Sequence, residues 1–168
     1  MESFLRYRLE WPSIAQLLRH SWGWPLFETL HFFGICLLIG GIGIFDLRLL
    51  GMAKELPVSV MRRFLPWGIF GFLLAVVTGL GFVLGLRANL PLNAVDVLKT
   101  DPFLQLKLIF MALAGINLLA FYVTGVSRIV DRLKPGDDAP GLAKFMAGSS
   151  LVLWLAVIYF GRLIPWGL

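Results

Sequence analysis

Trp24-Pro25-Leu26-Phe27-Glu28-Thr29-Leu30-His31-Phe32-Phe33-Gly34 opens a long apolar segment that runs to Phe45 and closes on Asp46-Leu47-Arg48. A helix needs about 20 such residues to cross a ~30 Å hydrocarbon layer, so this one stretch decides the fold. Within it a carboxylate and an imidazole three residues apart, Glu28 and His31, share a helix face. Counting ~1.5 Å per residue from Pro25, both sit roughly 5–9 Å inside the segment. An ionisable group at that depth in lipid costs about 2.5 kcal/mol or more, which favours an inward orientation and a partner. Asp46 lies about five helical turns beyond Glu28, so the two acids mark opposite ends of one stripe.

Three further segments of the same kind follow, giving spans over about 25–47, 59–86, 102–127 and 141–163. The chain has 168 residues, 58% hydrophobic and 15% charged, which no ordinary soluble domain matches. The composition predicts an all-α polytopic membrane protein: residues 1–168 form a single domain, four transmembrane helices in an antiparallel bundle. A short amphipathic helix over 11–22 precedes them. Ile14, Leu17, Leu18 and Trp22 recur on one side of it, and Trp11, Trp22 and Trp24 frame it, as suits the headgroup region. The net charge of +5 does not imply a nucleic-acid partner, because the basic residues fall between the apolar segments and not along one face. The single cysteine, Cys36, excludes an intramolecular disulfide and a Cys-based zinc site, and reads as a small packing residue. Met1 to Glu10 carries no removable signal sequence. Phosphate-cradling glycine loops, Ser/His/Asp sets, CxxCH and HExxH are all missing from the sequence.

Local signals mark where the helices begin and bend. Ser59 is placed to cap span two, and Pro66 to kink it within its first turns. Residues 87–102 read as a polar connector, ending in an Asp101-Pro102 cap for span three. Gly34, Gly40, Gly41 and Gly43 on span one, and Gly68, Gly71, Gly79, Gly81 and Gly85 on span two, give small-residue surfaces. Either a neighbouring helix or a flat ligand could approach there. Lys and Arg concentrate in the first and third loops: Arg48, Lys54, Arg62 and Arg63, then Arg128, Arg132, Lys134 and Lys144. The positive-inside rule places those loops in the cytoplasm and both termini outside.

With that topology Glu28, His31, Lys107 and Arg162 fall in the outer leaflet, on spans one, three and four. Facing inward they would pair with one another. A neutral His31 could take a metal, its other nitrogen oriented by a carboxylate or carbonyl. The alternatives stay open: Lys107 and Arg162 can snorkel to the headgroups, and Glu28 and His31 can be structural. His20 reads as solvated, and Asp46 and Arg48 as neutralising partners of Arg62, Arg63 or Arg128.

Leu30-His31-Phe32-Phe33-Gly34 leading into Leu38-Ile39-Gly40-Gly41 resembles the first-helix pattern of the bacterial CopD-type copper-resistance membrane proteins. It is also similar to the HemJ-type protoporphyrinogen oxidases, as are Met61-Arg62-Arg63-Phe64 and Leu104-Gln105-Leu106-Lys107-Leu108. The likeness covers residues 26–125. It departs at Asp46-Leu47-Arg48, where the HemJ type has Pro-Arg-Leu. The pattern from Glu28 to Gly51 resembles more closely a group of uncharacterised four-helix bacterial membrane proteins. The resemblance implies a bacterial inner-membrane protein with a b-type haem or redox-linked role, His31 and Lys107 being candidate haem-site residues. In that reading Glu28 orients His31 or carries protons, and Arg162 holds a propionate or Glu28. The other reading is an accessory subunit or a metal-ion handling protein, with lipid and a homodimer or membrane-complex partner as its contacts. The five methionines show no paired Met-x-x-Met spacing for soft copper binding.

Overall fold

Lipid offers backbone groups no hydrogen-bond partners, so a chain this apolar must pair its N–H and C=O groups within each segment, and it does so as helix. The computed structural model describes residues 12–85 and 94–167. In order these form α1 (Pro12–Arg19), α2 (Gly23–Leu49), α3 (Val58–Arg62), α4 (Leu65–Leu84), α5 (Ala94–Thr100), α6 (Pro102–Val123), α7 (Val126–Val130) and α8 (Gly141–Gly167). Four stretches are long and apolar enough to cross a membrane: α2, α3 with α4, α6, and α8. The protein is an all-α, multi-pass membrane bundle. The expectations for Met1 to Trp11 and for residues 87–93 lie outside the described residues.

The spans pack as two hairpins, α2 with α4 and α6 with α8, joined mainly along α2 and α8. Glycine makes the first seam. A methyl group on Gly41 would lie 2.7 Å from Gly68 N and from Phe64 O, and one on Gly71 would lie 2.5 Å from Gly34 O. Gly34, Gly41, Gly68 and Gly71 are therefore used up by helix against helix, with no space left there for a flat ligand. The second seam is held by side chains: Phe110 and Phe160 stack with ring centroids 5.3 Å apart, and Asn117 Nδ2 donates to Met146 O at 3.0 Å.

Several element ends differ from the sequence reading. Span two is broken, not kinked: the chain turns at Arg63-Phe64 and Pro66 falls in the first turn of α4. Proline lacks an N–H and clashes with the preceding turn, so a first-turn position removes both conflicts. Ser59 does not cap α3; Pro57 holds the N-cap position in extended backbone. The connector contains α5, whose Val97 is 1% exposed and packs with Leu104. Asp101 caps α6 as its sequence signals, accepting from Phe103 N at 2.8 Å and Leu104 N at 3.0 Å. Span three stops at Val123, because Gly125 takes a left-handed φ of 76° and turns the chain into α7. Cys36 is exposed on α2, not buried. The amphipathic helix α1 is shorter than expected and docks on the end of α4, with Leu18 2% exposed against Gly85.

At the loop end, charges and carbonyls stitch the hairpins. Arg48, 1% exposed, donates from Nε to Leu56 O at 2.8 Å and reaches Lys134 O and Asp137 O from its terminal nitrogens. Arg62 pairs with Asp131 at 2.6 Å and bonds the Ser127 hydroxyl at 2.8 Å. Asp138 bridges Lys54 and Lys144.

Two neighbouring glycines test the seam. Gly41→Ala should destabilise the protein by about 1–3 kcal/mol, because two backbones must move apart. Gly40→Ala, where an added methyl meets nothing within 4 Å, should be neutral or stabilising by up to about 1 kcal/mol. Thermal unfolding in detergent reads both. The loop bridge gives a pH signature. Hydrogen bonds from Lys144 and Lys54 hold the Asp138 carboxyl down to about 2 from its ordinary 3.8. A depressed folded-state pKa contributes stability above 3.8 that is lost as pH falls through about 2. Asp138→Asn should flatten stability against pH in that window, and added salt should shrink the difference, since the group is exposed.

Candidate functional site

Trp24, Phe27 and His31 follow one another at helical spacing along α2 and surround a single ring on α4, Phe82. Their ring centroids lie 4.9, 6.2 and 5.7 Å from it. Gly79 and Gly81 of α4 make room for them: a methyl on Gly79 would touch His31 Cε1 at 3.4 Å, and one on Gly81 would collide with Phe27. In this setting His31 Nδ1 lies 2.9 Å from Thr78 Oγ1. The Thr78 hydroxyl donates to Leu74 O at 2.7 Å, the usual back-bond of a threonine inside a helix. With its one proton directed there, Thr78 accepts from Nδ1–H, and His31 Nε2 is left as the nitrogen with a free lone pair. An imidazole anchored through one nitrogen and open at the other is the arrangement that ligating histidines adopt.

The other three candidates are placed differently. Lys107 lies along α8, its Cδ, Cε and Nζ all 3.4 Å from where a methyl on Gly161 would be. It comes from the second hairpin and packs beside Gly161. Glu28 and Arg162 are exposed, and among the described residues neither forms an ion pair. A three-residue offset leaves about 60° between side chains, enough at the rim of a buried stripe to turn Glu28 outward while His31 turns in. Thr78, not Glu28, holds the imidazole. His20 is exposed and stacks on Trp22 at 5.9 Å.

A second polar centre lies at the opposite end, where the sequence suggested only charge balance. Asp46 is 5% exposed and lines a cavity of about 230 Å³ between all four spans. Ser150 of α8 lines the same cavity, and Asp46 Oδ2 has no hydrogen-bond partner among the described residues. The expected arginine partners are committed elsewhere, Arg48 to loop carbonyls and Arg62 to Asp131. What the sequence reading missed is that Asp46 faces polar residues in later spans, Ser150 and Asn117. Those two interrupt otherwise apolar runs and are the signal that could have found it.

Among the described residues, no group of three or more His, Cys, Asp or Glu side chains is placed to hold a metal ion. A comparison with protein families, with characterised proteins and with solved structures finds no match to this chain.

The hydrogen bond to Thr78 can be measured directly. Thr78→Val keeps the shape and removes the hydroxyl acceptor from the half-buried Nδ1–H. It should cost about 1–3 kcal/mol in thermal or denaturant unfolding. With His31→Phe already in place the same substitution should cost much less, as two residues acting through one bond require.

Proposed function

We propose that this integral membrane protein has a redox-linked role and binds b-type haem at the outer end of the bundle, with His31 as axial ligand. One observation carries the reading: Thr78 fixes the imidazole through Nδ1 and leaves Nε2 free. A single ligand nitrogen fits such a group. The glycine seam, filled by backbone, does not offer it a bed, so this reading puts the group on the side of the second hairpin, which carries Lys107. Haem bound there would supply one-electron chemistry. Lys107 serves as a second ligand or as the cation that neutralises a propionate. Phe82, Phe27 and Trp24 keep water from the imidazole face. Arg162 and Glu28 sit at the same end on the outer surface, where Arg162 can meet a propionate and Glu28 a proton. The bundle belongs, in this reading, to a bacterial inner membrane with both termini in the periplasm, as the basic loops around Arg48 and Lys134 favour.

The exposure of Glu28 and Arg162 favours a second reading, an accessory subunit of a membrane complex or of a homodimer. Opposite charges within the spans gain most when a neighbouring protein covers them.

Expression with ample haem, followed by oxidised and reduced absorption spectra, separates the two. Haem binding predicts a Soret band that moves on reduction and falls at least tenfold in His31→Ala, while Glu28→Gln leaves it in place. A folded protein with no Soret band ends the haem reading. If Glu28→Gln then shifts the protein to a smaller assembly in multi-angle light scattering, the subunit reading stands.

A further inference from the structure

The cavity between the four spans contains an arrangement that the proposed redox role does not use. Its walls are apolar and aromatic, with Phe45 of α2, Phe72 of α4, Phe121 and Tyr122 of α6, and Trp154 of α8. Into them the sequence places Asp46, 95% buried by its 5% exposure, with Oδ2 unpartnered among the described residues. A carboxylate so buried needs a cation or a donor, and omitting one is costly. The two nearby arginines do not supply it. Arg48 is spent on the carbonyl oxygens of Leu56, Lys134 and Asp137. Arg62 lies over the outer part of the Phe45 ring at 5.8 Å but bonds Asp131 and Ser127.

We infer that the cavity is a binding site for a small lipophilic amine, taken up in its protonated form, with Asp46 as the counter-ion. The size and chemistry of the walls decide between cations. A bare metal ion needs about six oxygen ligands. Here Asp46, Ser150 and Asn117 offer only a few in a space of about 230 Å³, several times the ~30 Å³ share of one water. An ammonium group needs one good acceptor, which Oδ2 provides, and its hydrocarbon body suits the remaining walls. Phe45 with Phe121, and Phe72 with Trp154, form two edge-to-face pairs that make these walls aromatic. The volume limits the ligand to about one ring and a short chain, below the usual ~300 Å³ of drug-sized pockets. Entry is from the side. Ile69 of α4 with Leu118 and Tyr122 of α6 line the cavity and are also 56, 52 and 50% exposed, so the wall between α4 and α6 opens toward the acyl chains. A molecule that partitions into lipid reaches Asp46 without crossing the loops.

The test uses the full chain in nanodiscs of uncharged phosphatidylcholine, with phenethylammonium as probe and propylbenzene as its neutral isostere. Trp154 fluorescence and calorimetry report binding. The inference expects saturable binding of phenethylammonium at least tenfold tighter than propylbenzene, and loss of that preference in Asp46→Asn. Gly115→Phe offers a second variant that leaves the carboxylate untouched. Gly115 lines the cavity on α6 and an added Cβ there meets nothing within 4 Å, so the ring should fill the mouth and abolish saturable binding. Equal affinity for the two probes overturns the inference. So does no saturable binding, a preference that survives Asp46→Asn, or unchanged binding in Gly115→Phe. If Asp46→Asn does not fold, the Gly115→Phe comparison decides alone.

Discussion

Backbone contact between α2 and α4 is the constraint on which the rest of this structure depends. In lipid, apolar side chains gain little by meeting each other, so helices associate through close packing and polar contacts. Gly34 and Gly41 of α2, set against Gly71 and Gly68 of α4, bring the two backbones together. That approach fixes how α2 is rotated. Leu38 and the glycines point to α4, His31 is carried to the same flank where Thr78 waits, and Asp46 is turned to α8 and the central cavity. The two ionisable side chains at opposite ends of α2 therefore face different neighbours.

The ends of the bundle are held by different forces. At the loop end a buried guanidinium, Arg48, spans both long loops, and the Arg62–Asp131 and Lys54–Asp138–Lys144 bridges surround it. The apolar cluster of Phe45, Leu49, Val126, Val130 and Ala143 lies just beneath. Among the described residues the other end has no such ion-pair network; it has an aromatic group around Phe82, the hydrogen bond of His31, the Asp101 cap, and the contact of Val97 and Leu104 with Val83 and Ile164. A carboxylate in the cavity beneath the stitched end is consistent with this. The costly burial of Asp46 is placed where the scaffold is best able to carry it.

Much of the scaffold was legible in the sequence because a bilayer allows so few solutions. Span positions follow from runs of apolar residues, and Asp101-Pro102 signals its cap by chemistry that does not depend on the rest of the chain. The glycines of α2 and α4 announced a close approach, though not which surface would fill it. Side-chain direction was harder to read. Helical spacing groups Glu28 with His31, yet the stripe that packs is Trp24, Phe27 and His31, and Glu28 falls just beyond its edge. Asp46 looked like a partner for arginines close in sequence, but those arginines had better acceptors in loops distant in sequence. Nothing local says that Arg48 will reach Lys134 and Asp137. The orientation of His31 was likewise hidden, because Thr78 lies 47 residues away on another helix.

Each tight seam joins spans that are consecutive in the chain, the first with the second and the third with the fourth. This has a bearing on how the protein is made. Either half can form its own seam soon after it enters the bilayer, using neighbours already at hand, and the late event is the meeting of two finished halves. The surface on which they meet holds Asp46 and Ser150, so the last step of assembly is also the one that removes a carboxylate from the reach of water.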